Sequence, residues 1–180
     1  MSELFEKVNM YHTINDITLK GEVVIFGSTF MADFPFYELS QKYVFSTALY
    51  NRSIRGLSLA QAEQALKDCV LDIKPSKIFF ALGEHDLEEP QAIDIYQRII
   101  ERTKKDLPRT SIYLLSVPGA AAESFNLQLE QLAEALGIKW LAVSYDLLQG
   151  HPQYSKIFKK LTVFFRSSPL DLMDAFALAN

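Results

Sequence analysis

The stretch Val23-Val24-Ile25-Phe26-Gly27-Ser28-Thr29 decides the fold. Four consecutive apolar residues stop at a glycine, the pattern of a strand covered on both faces. Working outward, Lys77-Ile78-Phe79-Phe80-Ala81-Leu82 stops at Gly83, Ser111-Ile112-Tyr113-Leu114-Leu115 stops near Pro118, and Ile138-Lys139-Trp140-Leu141-Ala142-Val143 follows Gly137. The run from Phe45 to Tyr50 is a weaker candidate, because Ser46 and Thr47 interrupt it. Helical stripes lie between these runs. Leu59, Ala62, Leu66, Cys69, Val70 and Ile73 form one, with Ser58 as N-cap. Ile93, Tyr96, Ile99, Ile100 and Leu107 form a second, and Phe125, Leu129, Leu132, Ala133 and Leu136 a third, capped by Gly137. Strand and helix in alternation predict an α/β fold, a three-layer α/β/α sandwich around a central parallel sheet. Right-handed crossovers then bring the strand C-terminal ends to one edge, with Gly27-Ser28-Thr29, Asn51 to Gly56 and Gly83-Glu84-His85-Asp86 on it. A ligand site at that edge follows from topology alone.

Composition narrows the function. The chain has 180 residues, 49% hydrophobic and 22% charged, which predicts a single domain over residues 1–180. A net charge of −4 argues against a nucleic-acid partner, which needs a dense basic patch. Lys104-Lys105 and Lys159-Lys160 read as solvated helix faces. Cys69, the single cysteine, reads as a small core residue. The start, Met1-Ser2-Glu3-Leu4-Phe5-Glu6-Lys7, lacks signal-peptide features, and no apolar run approaches the roughly 20 residues of a membrane span. A cytoplasmic protein without a membrane partner is the expectation.

Three loops together resemble the SGNH (GDSL-type) lipase/acylhydrolase family. Val23-Val24-Ile25-Phe26-Gly27-Ser28-Thr29 resembles its first block, where a strand ends in Gly-Asp-Ser or Gly-Ser-Ser. Asn51-Arg52-Ser53-Ile54-Arg55-Gly56 resembles the second, Asn-Arg-Gly-Ile-x-Gly. The segment from Lys74-Pro75 to Gly83-Glu84-His85-Asp86 resembles the third, a Lys-Pro turn and apolar strand ending in Gly-x-Asn-Asp. The resemblance implies a flavodoxin-like layered fold and acyl-ester hydrolysis by a serine. In that family a histidine base lies near the C-terminus, three residues after an aspartate. The oxyanion is held by the nucleophile's N–H, the second-block glycine and the third-block asparagine. Such donors are worth about 2.7–4 kcal/mol each in acyl transfer.

The chain departs from that pattern residue by residue. Thr29 stands at the nucleophile position; its hydroxyl can attack, but its methyl crowds an acyl-enzyme and restricts χ1. Gly56 matches the second oxyanion donor, and His85 replaces the asparagine. Aligned on Phe165-Arg166-Ser167-Ser168-Pro169-Leu170, Arg166 takes the aspartate position and Pro169 the histidine position, ahead of a last helix over residues 171–180. Proline moves no proton, and loss of the base can cost on the order of 10⁶ in turnover.

The leading expectation is therefore a catalytically impaired member whose partial oxyanion pocket (Thr29, Gly56, His85) takes a small acyl, carboxylate or carbohydrate group. One alternative is an active, unusual ester hydrolase using Thr29 with His85 as base and Glu84 or Asp86 orienting the imidazole. Another is a non-catalytic interaction or scaffold protein. Ser28, Asn51, Asp86 and Arg166 are candidates for the site edge, each with a structural reading beside it. Ser28 would make a turn hydrogen bond, Asp86 would cap the following helix, and Arg166 would be solvated unless it binds an anionic substrate group. His151, with Asp146 five residues earlier, reads as a surface-turn histidine, and His12 as structural and without a partner. Phe30, Phe34, Phe36 and Tyr37 would line a pocket or, for at least half of them, pack in the core. No metal-ligand spacing and no cofactor motif is expected; Gly27-Ser28-Thr29 is too short for a flavin phosphate loop. Substrate identity and oligomeric state are not written in the sequence.

Overall fold

The computed structural model describes residues 3–43, 47–143, 145, 147–148 and 151–165. Helix α1 (Glu3–Ile14) precedes strand β1 (Val23–Gly27), which runs into the short helices α2 (Thr29–Ala32) and α3 (Phe36–Ser40). The chain continues through β2 (Leu49–Asn51), α4 (Leu59–Cys69), β3 (Lys77–Ala81), α5 (Ala92–Asp106), β4 (Ser111–Leu115), α6 (Glu123–Leu136) and β5 (Lys139–Leu141). A small antiparallel pair, β6 (Leu147–Leu148) and β7 (His151–Pro152), leads into α7 (Tyr154–Phe165). Phe45 and Ser46 of the weaker strand candidate, Asp146, and the C-terminal block from Arg166 through Pro169 to Asn180 lie outside the described residues.

Strands β1 to β5 form one parallel sheet in the order β2-β1-β3-β4-β5. Successive side chains point to opposite faces, which sorts the apolar runs into two cores. Val24, Phe26, Ile78, Phe80, Ile112 and Leu114 pack with residues of α1, α4, α5 and α6. Val23, Ile25, Phe79, Ala81, Tyr113 and Leu115 pack with residues of α2, α3 and α7. Each large side chain buried this way contributes about 1.5–3 kcal/mol. Both faces are covered, so the strands need continuous apolar runs rather than alternation, and the three-layer α/β/α sandwich follows. Cys69 is fully buried in the first core. Among the described residues, no helix is long and apolar enough to cross a membrane.

Several boundaries differ from expectation for local reasons. Strand β5 stops at Leu141, because the Ser116 hydroxyl takes over its ladder. That hydroxyl accepts the Val143 N–H at 2.8 Å and lies 3.2 Å from the Val143 carbonyl. Helix α4 stops at Cys69 and a 3₁₀ turn covers Leu71–Ile73. Lys74, at φ 46°, turns the chain there ahead of Pro75, whose ring disfavours helix in the residue before it. Helix α1 was not anticipated, although Leu4, Val8 and Tyr11 carry its buried face. The described C-terminal helix is α7, which carries the exposed Lys159 and Lys160, upstream of the segment expected to be helical.

The strand order places the site. The chain starts at β1, steps to β2 on one side, then passes β1 to β3 on the other, so the loops after β1 and β3 diverge and leave a crevice between them. The β3 loop is held rigidly at both ends. Gly83 sits at φ +106°, and a Cβ there would lie 2.4 Å from Cε1 of Phe125 in α6. Asp86, at the other end, caps α4 rather than the helix that follows it. Both its oxygens accept the Leu59 N–H at 3.1 Å. Ser58 completes that N-terminus in a capping box with Gln61. Gly83→Ala should lower the free energy of unfolding by about 2–4 kcal/mol, through overlap with Phe125 and the disfavoured φ. Asp86→Ala should cost about 1–2 kcal/mol as a lost cap, and Asp86→Asn, which keeps an acceptor, less. Urea titrations of the three variants beside the wild type check both magnitudes.

Candidate active site

Strand β1 delivers Thr29 to the crevice as the first residue of α2, immediately after Ser28. The Thr29 Oγ1 lies 2.9 Å from Nε2 of His85, the central residue of the β3 loop. The Gly56 N–H donates to the same Oγ1, also at 2.9 Å. Gly56 stands at φ +72°, a left-handed turn that favours glycine. A hydroxyl has one proton and two lone pairs, so Oγ1 can accept from Gly56 while donating to an unprotonated Nε2. The Thr29 N–H has no partner among the described residues and lies beside that oxygen on the same residue. First, second and third loops therefore meet at one atom, and Thr29, Gly56 and His85 are brought together as expected.

The flanking residues hold this arrangement by way of backbone groups. Both oxygens of Glu84 accept the Phe30 N–H, at 2.9 and 3.2 Å. Burial raises the Glu84 carboxyl above the usual range; the Phe30 N–H and His85 pull it back, and Asp33 pushes it further up. Burial likewise raises Asp86, against the Leu59 N–H and His85, with Glu89 adding to the rise. Neither carboxylate is bonded to the imidazole, so the expected orienting role falls to neither; among the described residues Nδ1 of His85 has no partner. Asn51 is a brace: its Nδ2 donates to the Met31 carbonyl at 2.8 Å, and its Oδ1 accepts the Ser53 N–H at 3.1 Å. The expected turn hydrogen bond of Ser28 is not made. Its hydroxyl is fully buried without a partner among the described residues, and only its backbone is tied, by N–H donation to Ala81 at 3.1 Å.

Other candidates stand apart. His151 lies exposed on β7 rather than in a turn, and Arg166 lies outside the described residues. His12 does have a partner: its Nδ1 is 2.8 Å from Asp68. His12, Asp68 and Asp72 bring ligand-type atoms within 4.8 Å of one another, a grouping that their sequence spacing did not announce, while Lys67 pairs with Asp72. Phe34 and Phe36 are core residues, Phe30 is half-buried against Tyr145 with ring centroids 4.8 Å apart, and Tyr37 is exposed. Glu84 and Phe30 also face Tyr145 and Val117 across a cleft too narrow to admit a water molecule.

Sequence reasoning missed Arg52. Its side chain is buried over the Tyr11 ring, 4.7 Å from the centroid, and donates to the Thr18 hydroxyl at 3.0 Å. Desolvation by burial lowers its pKa, which Tyr11 and the neighbouring groups oppose. This cation on an aromatic face ties α1 to the loop that presents Gly56. A tyrosine seven residues into the chain's α1 stripe from Leu4 was the available signal. Asp33 and Arg55 form an ion pair that joins the end of α2 to the residue before Gly56.

No protein-family model matches the chain, and no curated protein does. Solved structures match. A Streptococcus pneumoniae protein named for platelet activating factor superposes with a TM-score of 0.78 at 20% identity, over 91% of this chain and 92% of that one. A GDSL-like lipase from Bacteroides thetaiotaomicron gives a TM-score of 0.67 at 15% identity, over 87% of this chain and 97% of that one. A psychrotrophic esterase from Pseudoalteromonas gives 0.61 at 16% identity, over 89% of this chain and 100% of that one. The layers, the crevice at the β1 and β3 ends and these superpositions agree: the chain has the fold of the SGNH, GDSL-type hydrolases.

Proposed function

We propose that this chain is a catalytically impaired acyl-ester hydrolase that works through Thr29 and His85 on the ester of a small acyl group. The observation that carries the proposal is the 2.9 Å separation between Thr29 Oγ1 and His85 Nε2, hydrogen-bond reach for a nucleophile and its base. In the reaction, the Oγ1 proton passes to Nε2 as Oγ1 bonds to the ester carbonyl carbon. The carbonyl oxygen, now negative, is received by the N–H of Thr29 and by that of Gly56, which gives up its bond to Oγ1 as Oγ1 becomes the ester oxygen. Collapse breaks the bond to the alcohol, which leaves with the proton held on Nε2. Water then cleaves the acyl-threonine with the same proton transfers in turn.

The same geometry supports the impairment on this reading. An imidazole without an orienting carboxylate forgoes a contribution of about 10⁴ in turnover. His85 also occupies the place of the third oxyanion donor, a loss of about 10²–10³ if nothing replaces it. The same reading carries a single domain and, with Cys69 buried and unpaired, a cytoplasmic setting. A binding-only protein is the second reading, favoured by the Gly56 N–H being already engaged by Thr29 itself.

Hydrolysis of a short-chain activated ester separates the two. Wild type should exceed a boiled control, and Thr29→Val and His85→Ala should each fall at least about 100-fold. No activity in wild type, or equal activity in all three proteins, would leave a pocket that binds carboxylates or esters without turning them over.

A further inference from the structure

Three consecutive residues of the β3 loop reach three different targets. Glu84 takes the Phe30 N–H, His85 meets Thr29 Oγ1, and Asp86 takes the Leu59 N–H. Glu84 and His85 are neighbours, and so are Phe30 and Thr29. The two contacts therefore cross the crevice side by side, and displacement of one strains the other. A carboxylate that grips the Thr29–Phe30 peptide unit from its N–H side restricts the residue bearing the nucleophile. Asp86 anchors the far end of the same loop to α4, and Glu84 is the contact by which the loop bearing the imidazole holds the start of α2.

We propose that Glu84 is a positioning residue that holds Thr29 at hydrogen-bond distance from His85, and that it does so when ionised. The proposal rests on the Thr29–His85 reading for its consequence in catalysis, but the alignment itself stands on the geometry. An ionised acceptor makes a bond roughly twice as strong as a neutral one, and protonation leaves Glu84 with one lone-pair face fewer. The charged and titratable groups around it are His85 on its own loop, Asp33 at the end of α2, and Tyr145, whose ring packs on Phe30. Asp33 is itself paired with Arg55. Nothing among these groups neutralises Glu84 by direct salt bridge, so its grip on Phe30 is its principal compensation for burial.

Ionisation has a cost in stability. The folded-state carboxyl is raised above its unfolded value, so the folded protein binds the proton more tightly. This contribution to stability is complete below the ordinary carboxylate range and is lost as pH rises through the raised value. Alignment improves across the same window in which stability falls.

Heteronuclear NMR of the full chain, from acid to neutral pH, tests the proposal in wild type, Glu84→Gln and Glu84→Ala. In wild type, the Phe30 amide should shift with an inflection above the ordinary carboxylate range, and the nuclear Overhauser contact between Thr29 and the His85 ring should strengthen through it. Glu84→Gln keeps an acceptor but cannot ionise, so the inflection should vanish, the contact should stay at every pH as weak as in wild type at acid pH, and stability at neutral pH should exceed wild type. Glu84→Ala should lose the contact, with kcat on the short ester down about 100-fold and KM within about twofold. A contact in Glu84→Ala as strong as in wild type, or a Phe30 amide that ignores pH, overturns the proposal. If the alanine variant does not fold, the wild-type and glutamine titrations decide alone. If wild type turns over no ester, the hydrolase reading falls while the NMR result still decides what Glu84 does.

Discussion

A parallel sheet leaves the first N–H groups of each following helix without partners, and at this crevice side chains of a neighbouring loop reach across to take some of them. One loop supplies the acceptors for both helices that border the site. Glu84 serves the start of α2 and Asp86 the start of α4. Carboxylates make the stronger kind of hydrogen bond, but burial pushes both groups upward here. The fold accepts that electrostatic cost, and in return three loops from three strand ends become one rigid body. His85, carried between the two carboxylates, is placed on Thr29 as a consequence. The brace from Asn51 to the Met31 carbonyl and the Asp33–Arg55 pair then close the ring from the side of β2.

The chemistry open to this body is narrower than the fold alone allows. A single nitrogen of His85 faces the threonine, and it stands where a permanent amide donor would be expected from the resemblance to GDSL-type sequences. On the proposed reading it must take a proton in one step and return it in the next, leaving two backbone N–H groups to meet the oxyanion. The threonine methyl adds a stiff χ1 to the nucleophile. The solved structures that superpose on the chain share its fold at 12–20% identity, so the layers persist while the chemistry at the strand ends is free to drift.

Legibility in the sequence followed the physics of each feature. Strands β1, β3 and β4 were readable because burial on both faces demands unbroken apolar runs, and α4, α5 and α6 because one-sided burial imposes a period of 3.6. The loops that carry Thr29, Gly56 and His85 were readable as neighbours because they follow strands that a parallel topology must bring to one edge, and the resemblance marked those three residues within them. The short edge strands were less so: β5 loses its last residues to the Ser116 hydroxyl, a contact 27 positions away in the chain. Likewise Arg52 looks like an ordinary surface cation until Tyr11 is folded against it, and His12 looks unpartnered until α4 brings Asp68 alongside.

By itself, then, the order of apolar runs, glycines and amphipathic stripes determined the α/β class, the edge on which a site forms and the three loops that meet there; the resemblance to GDSL-type sequences picked out the residues within them. These are properties of backbone geometry and solvent exclusion, which act on local pattern and chain order. Tertiary structure alone decided which partner each polar side chain takes. A carboxylate in the β3 loop can orient an imidazole, cap its own helix or capture a neighbour's N–H, and all three are compatible with the sequence Gly83-Glu84-His85-Asp86. The choice is made by distances of a few tenths of an ångström between segments far apart in the chain, because hydrogen bonds weaken steeply with distance and angle while hydrophobic burial does not.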